Sequence, residues 1–242
     1  APLCWSTMTA MPSFSSGDST SVRRPLDKPA VTVMACGLPS CSTHTRRWPA
    51  DLLPAPSVAL ARLVAWLLHL SGKHTGLACR EGLFLDRRRV DAADSAHWEP
   101  AHRLLMNKMV QAAVIENDAR VILRDGLAYD RCQVGVVTDM LGVEGLAEFD
   151  VHEQEQMTKV LRTQVDVVLP SGAAVLHAAD AQVADLARLC DGGVVLYAQD
   201  GELAAIAEHR ASDQGRAVFV KAGRVVLAGA ALWVRDARIA IA

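Results

Sequence analysis

Four short runs of this chain are apolar throughout: Ala112-Ala113-Val114-Ile115, Val134 to Val137, Ala173 to Leu176 and Val194 to Tyr197. Between them lie Ala119–Leu127, Val151–Val168 and Gln182–Leu189, in which apolar residues recur at helical spacing. A strand with one wet face alternates polar and apolar residues, whereas a strand covered on both faces reads as a continuous apolar run. Such strands separated by helices predict an α/β fold, a mostly parallel sheet with helices on both faces. After Arg216 the pattern changes to Ala217–Val220, the turn Lys221–Arg224 and Val225–Leu227, which reads as a late antiparallel hairpin.

Upstream, Leu77–Ala78 and Leu83–Leu85 are strand-like, with the turn Asp86-Arg87-Arg88 before Val90. Glu99-Pro100 opens a helix to about Asn107. In Ser57–Ser71 the polar Arg62 and His69, with Trp66 between them, share one stripe and the rest is apolar. That pattern predicts a helix buried over most of its circumference, stopped at Gly72-Lys73. Residues 1–22, rich in Ser, Thr and Pro, read as an irregular tail, and Val31-Thr32-Val33 is an isolated β-branched run. The chain opens on Ala1 rather than Met, which suggests a processed, trimmed or partial sequence.

Composition narrows the function classes. Hydrophobic residues make up 51% of the 242 residues, enough for a sizeable core. Lys+Arg 25 against Asp+Glu 27 argues against a nucleic-acid partner. The longest apolar run, Val58 to Leu70, has 13 residues and is broken by Arg62, whereas about 20 are needed to span a bilayer. No basic segment followed by an apolar one opens the sequence, so we expect a cytoplasmic protein without membrane contact. The six cysteines are mostly scattered singly; Cys36, Cys41 and His44 have loose metal-ligand spacing without a fourth ligand nearby, and small buried thiols are the plainer reading.

In an open parallel sheet, ligands bind beyond the carboxyl ends of the strands. Glu116, Asn117 and Asp118 fall there after the first apolar run, Asp139 after the second, His177 and Asp180 after the third, and Asp200 after the fourth. Glu116, Asp118 and Asp139 are the candidate metal ligands, suited to Mg²⁺ and nucleotide phosphates. Asp and Asn at such positions are equally ordinary helix N-caps. No phosphate loop accompanies them. Gly72-Lys73 lacks the Gly five positions earlier, where Leu67 stands, and lacks Ser or Thr after the Lys, where His74 stands. His97 and His102 read as surface residues, and Arg87-Arg88-Arg89 as a solvated hairpin end.

Val114 to Met140, VIENDARVILRDGLAYDRCQVGVVTDM, resembles the central Mur ligase-like module of cyanophycin synthetases, in which a strand ending in Glu precedes a stretch like ILREGL-YDRCDVGVVTN. The likeness extends to Gly76–Val90, to Leu104-Leu105-Met106-Asn107, to Pro170–Asp180 (PSGAAVLHAAD) and to Gly215–Leu227. Arg24-Pro25-Leu26 with Val31–Thr45 looks like the end of that family's ATP-grasp module. The resemblance implies three segments: 1–52 as linker and degenerate ATP-grasp tail, 53–230 as the Mur-central domain, and 231–242 as a C-terminal tail.

It also implies ATP and Mg²⁺ as cofactors, and synthesis of an Asp–Arg polymer in which the Mur-like module adds Arg to a side chain. The departures fall on the family's catalytic positions. Its phosphate loop aligns with Leu53-Pro54-Ala55-Pro56-Ser57-Val58-Ala59, so the cradle glycines are gone and Ser57 stands for the Lys. The Thr triplet after the first strand has become Ala78-Cys79-Arg80. The lysine carbamylated in Mur-type ligases aligns with Leu161, near Lys159; Met34 and Cys36 replace ATP-grasp metal ligands; His177-Ala178-Ala179-Asp180 replaces Asn-Ala-Asp-Asp. Glu116 is retained at the position of a metal-binding Glu. The sequence also ends, at Ala242, before the third Mur domain that would close over the nucleotide. We therefore expect a module inactive alone, acting as an assembly module or remnant. The alternative is an amide-forming ligase that works only with a partner chain or the missing domains. Possible partners are a second copy or such a ligase chain.

Overall fold

The computed structural model describes residues 30–34, 56–212 and 215–229. Ten strands form one sheet in the order β10-β9-β8-β7-β6-β1-β5-β2-β3-β4. The strands are β1 (Ala30–Met34), β2 (Thr75–Cys79), β3 (Gly82–Leu85), β4 (Arg88–Asp91), β5 (Ala112–Asn117), β6 (Cys132–Val137), β7 (Val168–His177), β8 (Gly193–Asp200), β9 (Arg216–Lys221) and β10 (Arg224–Ala228). The seven from β2 through β9 in that order pair in parallel. Antiparallel pairs finish both edges, β2-β3-β4 on one side and β9-β10 on the other. The helices are α1 (Pro56–Leu70), α2 (Trp98–Met106), α3 (Ala119–Asp125), α4 (Gln154–Asp166), α5 (Ala181–Asp185) and α6 (Ala204–Ala211).

The expected α/β architecture, parallel core and late hairpin are all present. β5 shows why the apolar runs identified it: every one of its residues is buried, as a strand packed on both faces requires. One cluster of buried side chains, including Met140, Met157, Leu161, Leu176 and Ile206, lies under α3, α4 and α6; others lie beneath α1 and α2. Gly135 on β6 is demanded by packing. A Cβ there would stand 2.8 Å from the Gln164 carbonyl oxygen and 2.9 Å from Val168 Cγ2, so α4 approaches the sheet closer than any side chain allows.

Three expectations are corrected. Ala30–Met34, grouped in the sequence with the 1–52 tail, is an interior strand of the sheet, paired with both β5 and β6. The α/β unit therefore starts before residue 53. Second, α1 is not buried round most of its circumference: Leu63, Trp66, Leu67 and Leu70 are 50%, 52%, 44% and 61% exposed. Its buried side is the narrow stripe Val58, Ala61 and Ala65. Third, α6 was not anticipated, and β7 begins at Val168, where a helix was expected to end.

Candidate functional site at the carboxyl edge of the sheet

The chain winds one way from β1 to β2 and the other way from β6 to β9, so the strand order reverses around β1 while the strands stay parallel. The carboxyl end of β1 is the crevice where open α/β sheets take ligands. Its neighbours there are the ends of β5 and β6, since Met34 pairs in register with Asn117 and with Val137. This topology brings Glu116, Asp118 and Asp139 to one edge.

Glu116 is 2% exposed, and both its oxygens accept from protein donors. Ser57 Oγ, in the first turn of α1, donates to Oε1 at 2.7 Å, and the Arg80 backbone N–H donates to Oε2 at 2.9 Å. A buried carboxylate is tolerable on such terms, because charge-assisted hydrogen bonds replace its hydration. Arg80 then turns its guanidinium to Asp118, with Nη2 at 2.9 Å from Oδ2. The other Asp118 oxygen caps α3, accepting from the Val121 N–H at 2.8 Å. Asp139 is engaged locally: Oδ2 accepts from Thr138 Oγ1 at 2.8 Å and Oδ1 from the Leu141 N–H at 3.2 Å.

The three candidate ligands thus share an edge without facing a common point. Among the described residues, no group of three or more His, Cys, Asp or Glu is gathered so as to hold a metal ion. The donor chemistry fits Mg²⁺ poorly, because a guanidinium already sits against one carboxylate and hydrogen-bond donors against both oxygens of the other. Pro56 and Ser57 open α1, while Leu53, Pro54 and Ala55, with Cys36, Cys41 and His44, lie outside the described residues.

Other marked positions have structural partners. Asp180 caps α5, accepting from the Gln182 and Val183 N–H groups. His177 stacks on Tyr197, with ring centroids 5.0 Å apart. Burial, then the nearby Asp139 carboxylate, push the Tyr197 hydroxyl up to about 12. Asp200 accepts from the Glu202 N–H. Lys159 lies on α4 near the buried Leu161. His102 stacks on Trp98 at 4.6 Å, and His97 stands before the first turn of α2.

Two features escaped the sequence reading. A buried polar trio joins Asn117, Tyr129 and Gln164: Asn117 Nδ2 donates to the Tyr129 hydroxyl at 3.0 Å, and Gln164 Oε1 accepts from both at 3.3 Å. Gln164 Nε2 is left without a partner. Asn117 was marked by its place after a strand, and for Gln164 the one sequence signal is a polar residue at a core position of the α4 pattern. The second is Asp86, at φ 52 in the β3–β4 turn. Its carboxylate accepts from the Thr75 N–H at 2.8 Å and faces His69 Nδ1 at 3.2 Å and His74 Nδ1 at 3.1 Å. The Thr75 N–H, and then the two imidazoles, hold it below the ordinary 3.8.

No family model matches the chain. Its backbone is similar to a solved UDP-N-acetylmuramoyl-L-alanyl-D-glutamate–2,6-diaminopimelate ligase, with a TM-score of 0.52 at 12% identity, over 79% of this chain and 34% of that one. The fold is therefore of the Mur ligase type. In sequence the chain is 32% identical over 158 residues to a cyanophycin synthetase of Crocosphaera subtropica and 33% identical over 148 residues to one of Synechocystis sp.. These matches cover 65% and 61% of the chain but 18% and 17% of the relatives, so it spans less than a fifth of their length. What the chain carries is a cyanophycin synthetase-like Mur ligase module. Among the described residues, no helix is long and apolar enough to cross a membrane.

Proposed function

We propose that this module has lost its nucleotide site and does not form amide bonds alone, serving as a non-catalytic assembly module or remnant. One observation carries the reading: the Glu116 carboxylate is tied by Ser57 and the Arg80 N–H, while the Arg80 side chain neutralises Asp118. Phosphoryl transfer depends on preorganised positive charge at the phosphates and on a metal. Here the resemblance to cyanophycin synthetases puts Ser57 at the position of the loop lysine, and the Ser57 hydroxyl donates to Glu116 instead. Cytoplasmic location goes with this reading.

The test is Mg²⁺-dependent phosphate release from ATP by the purified chain with aspartate and arginine present. Release no faster than the protein-free blank is expected. Release that disappears in Glu116→Gln would overturn the proposal. A second reading rests on the retention of Glu116 and on the relatives' greater length: an ATP- and Mg²⁺-dependent, amide-forming ligase of the cyanophycin synthetase type, completed by a partner chain. It predicts that adding such a chain restores release.

A further inference from the structure

We propose that the outer face of α1, with the adjoining β3–β4 hairpin, is a docking surface for an acidic, amphipathic segment of a partner protein. Leu63, Trp66, Leu67 and Leu70 recur at the spacing of one helical face, and each is between 44% and 61% exposed. Four large apolar side chains in one stripe exceed the scattered exposure of an ordinary surface. Beside the stripe a cavity of about 310 Å³ opens between α1 and β3, with Trp66 and Phe84 in its walls and the buried Ala65 and Leu77 at its base.

Charge selects the occupant. Two guanidinium groups lie over the Phe84 ring, Arg62 at 5.6 Å and Arg89 at 5.9 Å from its centroid. Arg87, at the cavity rim, is exposed and in no ion pair among the described residues. The carboxylates nearby are committed, Glu81 to Arg62 and Asp86 to Thr75, His69 and His74. With Arg62 paired to Glu81 and the Asp86 carboxylate in the cavity wall, the net positive charge of the rim rests on Arg87 and the adjoining Arg89. They stand beside apolar walls from Ala65, Trp66, Leu77 and Phe84, inside a chain whose net charge is -2. The complement of this surface is a segment with apolar anchors on one side and Asp or Glu beside them. The concavity favours a protein segment over a membrane, because a side chain fills a pocket that a flat lipid surface bridges. It does not depend on whether the nucleotide site works.

The test uses the full chain and a fluorescein-labelled amphipathic helical peptide with Leu and Phe on one face and Glu and Asp on the other. The same peptide with Lys at every acidic position serves as the comparison. Anisotropy is expected to show saturable binding of the acidic peptide, weakening by about tenfold in Arg87→Glu and with added salt. Leu67→Ser should also weaken it; both sites are exposed, and an unchanged melt confirms folding. Equal binding of the two peptides, no binding, or indifference to Arg87→Glu would overturn the proposal. So would concentration-dependent self-association in sedimentation that Leu67→Ser abolishes, or binding confined to phosphatidylserine-containing vesicles.

Discussion

Glu116 offers the sharpest perturbation, because the sign of its effect separates a structural carboxylate from a cation ligand awaiting its cation. In Glu116→Gln the amide oxygen can still accept from the Arg80 N–H, and the amide nitrogen can still meet Ser57 Oγ, so both 2.7–2.9 Å contacts survive as neutral bonds. Bonds to a charged group contribute about 1.5–3 kcal/mol and neutral ones about 0.5–1.5 kcal/mol. Each bond then loses about 1–1.5 kcal/mol, so the exchange costs about 2–3 kcal/mol, or roughly 4–12 °C in Tm for a domain of this size. Glu116→Ala costs more, since it leaves the buried Ser57 hydroxyl and the Arg80 N–H unpaired at about 1–3 kcal/mol each. Urea unfolding of Glu116→Gln, Ser57→Ala and the double variant isolates the pair, and a coupling above about 0.5 kcal/mol is expected for residues in contact. A Glu116→Gln variant more stable than the parent would refute the reasoning. Sites kept for binding commonly store such strain.

Three further outcomes follow from the geometry. Gly135→Ala puts a Cβ 2.8 Å from the Gln164 carbonyl oxygen and should cost about 1–3 kcal/mol; an unchanged melt would contradict the close approach of α4. At alkaline pH, burial first of all raises Cys79 from 9.0 to about 11 and Tyr197 from 10.0 to about 12. Their neutral forms are favoured in the fold, so the stability is complete below pH 9 and is lost as pH rises through those folded values, with a shallower loss in Tyr197→Phe. Asp86, held below 3.8, contributes stability above that value that disappears as pH falls through its lowered folded value. Asp86→Asn should flatten the acid limb of a pH–Tm curve, and an identical limb would count against the Thr75 contact.

Much of the fold was legible because its strands are buried on both faces. β5, β6, β7 and β8 announced themselves as apolar runs, and the residues after them fell at the carboxyl edge as the rule for open sheets requires. β1 was misassigned because five residues carry no partner in the sequence, and only pairing with β5 and β6 shows where they belong. The error at α1 has a different cause. Periodicity records which residues are apolar, and Leu63, Trp66 and Leu67 are apolar yet uncovered. At the site, Glu116 was legible from its place after a strand, whereas its partners were not. Ser57 lies 59 residues away and Arg80 36 residues away, distances at which no local pattern operates.

The central claim is that this module does not hold a nucleotide. Calorimetric titration of the full chain with Mg²⁺–ATP, on protein shown to be folded by a cooperative melt, tests it most directly. The account predicts no saturable heat at millimolar ATP, in the parent and in Glu116→Gln alike. A saturable isotherm that weakens in Glu116→Gln would contradict it.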